Sequence, residues 1–253
     1  MVENGTYRTG TRGPWGIGPT AFISLLIMLA YLGVQNLTAA LFVAGFGMAA
    51  GHAVGVNELF AHYGGLFQAL ALLAAVPAGV WLILYFIHKN GGPPAGWYLG
   101  VRAFSLQQLF LWLAVLVVMI LVSDLITNML GRRLEPNIMI HLVRTAVAAP
   151  LLWAAMIVAA PIFEELLFRG FLFRGIEFSR LGPDGAIILT AIGWALVHSQ
   201  QYDSYEIATL FAMGMMLGYA RARSGSIVLT ILLHAANNLV AVAQMYYLIG
   251  HSA

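Results

Sequence analysis

The chain alternates between long runs of apolar residues and short polar connections. A helix needs about 20 mostly apolar residues to cross the hydrocarbon layer of a membrane. Five runs reach that length, and two shorter ones reach it with their flanking residues. The pattern predicts an all-α polytopic membrane protein with about seven transmembrane helices, within a range of six to eight. The predicted spans are Thr20–Phe46, Leu66–His88, Leu109–Leu130, His141–Phe163, Ala186–His198, Ile207–Ala220 and Ile227–Ile249.

These spans also predict how the chain is divided. Seven helices of about 20 residues use about 140 of the 253 positions, so no separate soluble domain fits between them. Residues 1–18 form a polar N-terminal tail, and residues 19–140 form the N-terminal transmembrane helices. Residues 141–250 form a C-terminal transmembrane region, and we expect the functional site to be buried among its helices.

Composition supports the membrane assignment and excludes several classes of protein. Hydrophobic residues make up 61% of the chain and charged residues 9%, against about 45–50% and 25% in soluble domains. This leaves too little polar surface for a soluble enzyme or a disordered chain. The net charge is only +2 with no basic tract, so the expected partner is the lipid bilayer and not nucleic acid. Because cysteine is absent, a disulfide, a thiolate zinc site and a cysteine nucleophile are excluded.

The positions of lysine and arginine predict the orientation, because cytoplasmic loops carry an excess of both. With a cytoplasmic N-terminus, nine basic residues fall on the inner side, two (Arg132 and Arg133) fall outside, and Arg144 lies within a span. We therefore expect a multi-pass protein of the plasma (inner) membrane with its N-terminus in the cytoplasm. The nine are Arg8, Arg12, Lys89, Arg102, Arg169, Arg174, Arg180, Arg221 and Arg223.

A few polar residues interrupt the C-terminal apolar runs, where an ionisable group is costly and indicates function by default. The i, i+4 spacing of Glu165 and Arg169 allows an ion pair, and Glu164 points about 100° away, which leaves its carboxylate for chemistry. The helical rise brings these groups to a common depth, which we expect to be reached from the cytoplasmic side. The candidates are Glu164, Glu165, Arg169, His198, His234 and Asn238.

Taken singly, each of these residues has a structural explanation. His198 alone could be a hydrogen-bonded packing residue, Glu165–Arg169 a structural ion pair, and Asn238 a contact between helices. Together, the carboxylates and imidazoles can activate water and an amide can stabilise an oxyanion, which suits peptide hydrolysis. Intramembrane Glu and His also build proton relays, so a proton-coupled transporter is one alternative. A non-catalytic membrane scaffold is the other.

The order and spacing of these residues resemble the three motifs of the CPBP (Abi, type II CAAX prenyl endopeptidase-like) intramembrane proteases. The resemblance covers roughly residues 145–245, and the first half of the chain shares only its hydrophobicity. One departure is Trp194, where the family usually has phenylalanine. The motifs are Glu164-Glu165-x-x-x-Arg169, Trp194-x-x-x-His198 and His234-x-x-x-Asn238.

The resemblance implies an intramembrane endopeptidase that cleaves a membrane-associated protein or peptide, with a lipidated, CAAX-like chain as one form of substrate. It implies that Glu164 is the catalytic carboxylate and that Glu165 and Arg169 support it. His198 and His234 would position or activate water, and Asn238 would stabilise the oxyanion. No cofactor is required by a glutamate-type mechanism, whereas a metal-dependent one would use His198 and His234 as ligands of zinc.

Overall fold

The computed structural model describes residues 2–3, 6–7, 15–132 and 136–251; Arg8, Arg12 and Arg133 of the orientation prediction lie outside these residues. Two short strands, β1 (Val2–Glu3) and β2 (Thr6–Tyr7), pair antiparallel, and the remaining elements are helices. The helices are α1 (Ile17–Ala50), α2 (Val56–Lys89), α3 (Ala95–Leu99), α4 (Leu106–Met129), α5 (Asn137–Arg144), α6 (Ala149–Glu177), α7 (Gly182–Leu196), α8 (Ser204–Ser224) and α9 (Ile227–His251).

The helical, polytopic fold class is confirmed. The helices α1, α2, α4, α6 and α9 are each long and apolar enough to cross a membrane, and α7 is apolar but has only 15 residues. The predicted sixth span corresponds to α8, which carries charged residues at both ends. Only Leu116 and Thr127 of α4 are buried, so most of this apolar helix faces outward, as expected of a surface in contact with lipid.

The predicted fourth span, His141–Phe163, has the wrong boundaries. The chain leaves the helical path after α5, and α6 begins only at Ala149, with Pro150 in its first turn. Proline is accommodated at the start of a helix but breaks its interior, because it lacks an N–H and crowds the preceding turn. At the other end α6 continues past Phe163 to Glu177, so the glutamate pair lies in the middle of a membrane helix.

Helix α6 is itself irregular around this pair. The α-helical turn Ala160–Glu165 lies between two π-helical stretches, Ala154–Ala159 and Leu166–Leu172. Such wider turns within α-helices are frequent at functional sites. The wider turns change which side chains share a face of the helix. The turn that carries both glutamates therefore does not share the side-chain register of the rest of α6.

The helices run alternately between two ends of the bundle. At the near end, where α1 begins, Thr20 lies against Gly175 of α6, and Ser226 Oγ donates to the carbonyl oxygen of Arg102 at 2.6 Å. At the far end, the last turn of α4 meets the first turn of α8, where Thr127 Oγ1 and Tyr205 OH are 2.7 Å apart. These contacts define the two ends used below.

Close approach of helices depends on glycine at several positions. A Cβ at Gly65 of α2 would overlap the carbonyl oxygen of Leu142 in α5, a backbone atom that cannot rotate away. The glycines of the G-x-x-x-G sequence in α8, Gly214 and Gly218, lie against Ala191 and Ile187 of α7. Small residues allow helices in a membrane to approach closely, so these contacts fix how α5 and α7 sit in the bundle.

We expect Gly65→Ala to lower the free energy of unfolding by about 1–3 kcal/mol, because α2 and α5 must separate to admit the methyl group. Gly33→Ala in α1 is the matched control, since a Cβ there has nothing within 4 Å. Thermal unfolding of both purified variants in detergent measures the difference. Equal midpoints for the two variants would contradict the packing of α2 against α5.

Candidate functional site

The buried half of the glutamate pair is Glu165, whose side chain has no exposed surface. Its Oε1 accepts hydrogen bonds from Arg169 Nη1 at 2.9 Å and His234 Nδ1 at 3.0 Å. Arg169, also fully buried, donates from Nη2 to the carbonyl oxygen of Gly214 in α8 at 3.2 Å. This ion pair therefore connects α6 to both α8 and α9.

The other glutamate, Glu164, lines a cavity and keeps 18% of its side chain exposed. Its Oε2 accepts a hydrogen bond from the indole Nε1 of Trp194 at 2.6 Å, and His234 Nε2 is 3.9 Å from the same oxygen. The two adjacent carboxylates thus have different surroundings. Glu165 is enclosed by protein partners, whereas Glu164 has an oxygen available to a molecule in the cavity.

In each histidine of the site, one ring nitrogen forms a hydrogen bond to an acceptor. His198 Nδ1 lies 2.8 Å from the carbonyl oxygen of Trp194, and His234 Nδ1 lies 3.0 Å from Glu165. Because a carbonyl and a carboxylate only accept, both Nδ1 atoms carry the proton, and a neutral ring then has its lone pair on Nε2. The centroid of the Trp194 indole lies 5.3 Å from the ring centroid of His198 and 5.3 Å from that of His234.

The amide of Asn238 belongs to the same cavity as the glutamate and the histidines. Its Nδ2 donates to the carbonyl oxygen of Met156, in the first π-helical stretch of α6, at 2.9 Å. Its Oδ1 accepts a longer bond from Asn237 Nδ2 at 3.4 Å. An amide nitrogen has two hydrogens, so one N–H of Asn238 is still available to a ligand.

The cavity has a volume of about 350 Å³ and is shared by both halves of the chain. The N-terminal helices contribute Tyr31 and Gln35 from α1 and Gln68 from α2. The cavity reaches the far end of the bundle at Tyr205 and Glu206. These N-terminal residues could not be found from the sequence, because isolated glutamines and a tyrosine in an apolar run have many structural uses.

The expectation that the site is reached from the cytoplasmic side stays a prediction, and the structure shows how the cavity lies between the two ends of the bundle. The cavity extends from Glu164 toward the far end, whereas Arg169 and Arg221 close the near end. The guanidinium of Arg221 donates to the carbonyl oxygen of Arg169 at 3.0 Å, and both side chains are buried. Helical rise gives the depth of a residue along its helix but does not determine which end of a cavity is open.

The groups around Glu164 do not form a ready-made zinc site. Among the described residues, no three histidine, aspartate or glutamate side chains lie close enough together to hold a metal ion. As neutral rings, His198 and His234 could supply two ligands through Nε2, while catalytic zinc normally takes three from the protein. The two histidines therefore provide one ligand fewer than a catalytic zinc ion normally takes.

Trp194 has a larger role in the site than its sequence position suggested. In the sequence it stood out only as a departure from the phenylalanine that is usual in the family. In the structure its N–H holds Glu164, and its ring also lies 4.9 Å from the guanidinium carbon of Arg169. The indole N–H, which phenylalanine lacks, is the feature of the sequence that could have revealed this contact.

Comparison with known proteins identifies the C-terminal part of the chain. Residues 145–240 match the family of type II CAAX prenyl endopeptidase Rce1-like proteins. The resemblance to the CPBP family is thereby confirmed over this region, which contains all six candidate residues. No curated protein and no solved structure matches the chain.

We expect Trp194→Phe to lower kcat for a cleavable peptide about 10- to 100-fold, because a hydrogen bond to a charged group contributes about 1.5–3 kcal/mol. Trp153→Phe is the matched control, since its N–H donates to Tyr246 OH at 3.2 Å on the surface of the bundle. Steady-state kinetics of both variants measure the effect. An unchanged kcat in Trp194→Phe would show that this hydrogen bond does not position the carboxylate.

Proposed function

Starting from the match of residues 145–240 to the Rce1-like prenyl endopeptidases, we propose that this protein is an intramembrane endopeptidase that uses Glu164 to activate water. The observation that supports the proposal most is the difference between the two glutamates. Glu165 is enclosed and neutralised by Arg169, while Glu164 faces a cavity that it shares with two histidines and an asparagine amide.

The first step is attack of water on the scissile carbonyl. Glu164 accepts one proton from the water, and the water oxygen forms a bond to the carbonyl carbon. The π electrons of the carbonyl move to its oxygen, which becomes an oxyanion. The free N–H of Asn238 donates to this oxyanion, and such a donor contributes about 2.7–4 kcal/mol in other hydrolases.

The second step is collapse of the tetrahedral intermediate. The oxyanion re-forms the carbonyl, the C–N bond breaks, and the amine nitrogen takes the proton held by Glu164. The products are a carboxylic acid and an amine, and Glu164 returns to its carboxylate form. One residue thus acts first as a base and then as an acid.

The remaining site residues position these groups. Glu165 accepts from His234 Nδ1, which directs the His234 Nε2 lone pair toward the water side of Glu164. The backbone carbonyl of Trp194 accepts from His198 Nδ1 and so orients the His198 ring, which also lines the cavity. Either Nε2 can accept a hydrogen bond from the attacking water and so orient its oxygen toward the substrate.

The substrate class proposed is a membrane-associated protein or peptide, because the cavity lies among helices that cross the bilayer. The family match supports a lipidated, CAAX-like segment as one such substrate. The glutamine and tyrosine side chains of α1 and α2 that line the cavity offer partners for the backbone N–H and C=O groups of a bound peptide.

Substitution of the two glutamates separates catalysis from stability. We expect Glu164→Gln to lower kcat by about 10²–10⁴-fold with little change in the unfolding midpoint, because the general base is removed from a partly exposed position. Glu165→Gln leaves the buried guanidinium of Arg169 without a counter-charge, which costs about 3–5 kcal/mol of stability. Peptide cleavage and thermal unfolding are measured on both variants.

Three results, each from its own experiment on these variants, would contradict the proposal. Full cleavage by Glu164→Gln, and likewise by His198→Ala and His234→Ala, would exclude catalysis at this cavity. Solute flux in proteoliposomes that depends on Glu164 would identify a proton-coupled transporter. A wild-type cellular phenotype in Glu164→Gln cells would identify a non-catalytic scaffold.

Metal dependence has a separate test. Because His198 and His234 supply two ligands where catalytic zinc normally takes three, we expect the purified enzyme to keep its activity in the presence of a chelator. Elemental analysis of the wild type and of His198→Ala gives the metal content of each. One zinc per chain that is lost in His198→Ala together with activity would establish a metal-dependent mechanism.

A further inference from the structure

We propose that Asp124 forms a subsite for a lysine or arginine side chain of the substrate, within the same cavity as Glu164. This inference rests on the proposed function, since it concerns which peptides the enzyme selects. The subsite follows from the charge of Asp124, the neutral partner of its carboxylate and its position relative to Asn238. Binding at the subsite can be measured without any cleavage, so the subsite and the peptidase are tested separately.

Asp124 is the only charged residue of α4, a helix that is apolar enough to cross a membrane. Most of α4 faces outward, but its polar edge, formed by Ser123, Asp124 and Thr127, lines the cavity. Ionisable side chains in membrane helices are costly, and they normally face a cavity and mark the path of a substrate or an ion. A neutral polar residue would connect two helices at lower cost, so the charge of Asp124 indicates a role beyond packing.

The partner of Asp124 within the protein is a neutral amide. Its Oδ2 accepts a hydrogen bond from Gln244 Nε2 in α9 at 2.9 Å. In the described part of the chain, no lysine, arginine or histidine forms an ion pair with Asp124. A carboxylate has about four lone-pair sites, and Gln244 uses one of them. The half-buried side chain of Asp124 can therefore still accept hydrogen bonds from a ligand in the cavity.

The other charged residues that line the cavity already have a partner or a task. Glu164 is the proposed base, and Glu206 Oε2 accepts from the backbone N–H of Asp203 at 2.9 Å. Arg132, the one lysine or arginine among the described lining residues, forms an ion pair with Asp203. The protein therefore leaves the charge of Asp124 unbalanced. A basic side chain supplies the complementary charge and the hydrogen-bond donors.

The position of Asp124 predicts where the basic residue lies in the substrate. Its partner Gln244 follows Asn238, the proposed oxyanion donor, by six residues, or about 9 Å along α9 toward the far end. An extended peptide advances about 3.3–3.6 Å per residue, so about three residues span this distance. We therefore expect the basic residue two to four positions from the scissile bond, in the part of the substrate that extends toward the far end.

Peptide binding to Glu164→Gln, which is expected not to cleave, tests the subsite directly. The probe is a fluorescent, palmitoylated peptide of neutral residues that carries one lysine, glutamine or glutamate at each position in turn. We expect the best lysine peptide to bind about 10- to 100-fold more tightly than its glutamine counterpart, the range of a hydrogen bond to a charged group. Fluorescence anisotropy in detergent gives each Kd. Equal Kd values for the three peptides at every position would overturn the subsite.

Asp124→Asn isolates the charge, because the asparagine oxygen can still accept from Gln244 and keep α4 against α9. Added to Glu164→Gln, this substitution is expected to abolish the preference for lysine over glutamine. Asp184→Asn is the matched control, since it removes the same charge from an exposed residue of α7 outside the cavity, and we expect it to keep the preference. A lysine preference that survives in Asp124→Asn would show that another group binds the cation.

Cleavage kinetics of protein with Glu164 intact connect the subsite to catalysis. Because the lysine is bound away from the reacting bond, we expect it to lower KM relative to glutamine and to affect kcat little, and Asp124→Asn to remove this difference in KM. Mass spectrometry of the products locates the lysine relative to the cleaved bond. A lysine preference in kcat alone, or a lysine directly beside the cleaved bond, would contradict the subsite and leave the peptidase intact. Lysine-selective binding without cleavage of any peptide would overturn the peptidase and leave the binding subsite in place.

Discussion

The ion pair between Glu165 and Arg169 is the interaction on which the geometry of the site depends. Both side chains are fully buried in a membrane helix, where separated charges would be very costly. Their hydrogen bonds to His234 in α9 and to the backbone of α8 make the pair a junction of three helices. Any displacement of those helices would leave a buried charge without its partner, which gives the bundle one preferred arrangement around Glu164.

That arrangement explains why two adjacent glutamates can have different tasks. The turn that carries them lies between π-helical stretches of α6, and successive residues of a helix point about 100° apart. One carboxylate therefore faces the protein and the other faces the cavity. The first stretch also presents the carbonyl of Met156 to Asn238, so an irregularity in the backbone of α6 fixes the amide as well.

The positions of the polar residues were largely predictable from the sequence, since the i, i+4 spacing of Glu165 and Arg169 describes the observed ion pair. Three features were not predictable in this way. The break before Pro150 moved the start of α6, the indole of Trp194 became a partner of Glu164, and the cavity extends toward the far end of the bundle. The last two depend on contacts between residues far apart in the chain, whereas the break is a local effect of Pro150 that helical spacing does not describe.

The sequence by itself determined that this is a helical membrane protein with a cluster of ionisable residues in its C-terminal helices. Those properties are local, because hydrophobic length and helical period are set by neighbouring residues. Only the tertiary structure decided which carboxylate of the glutamate pair accepts a hydrogen bond from an indole. It also decided which end of the bundle is closed by arginine. Those properties are set by the packing of α3, α6, α7 and α8 against one another, since a cavity exists only where distant segments of the chain fail to fill the space between them.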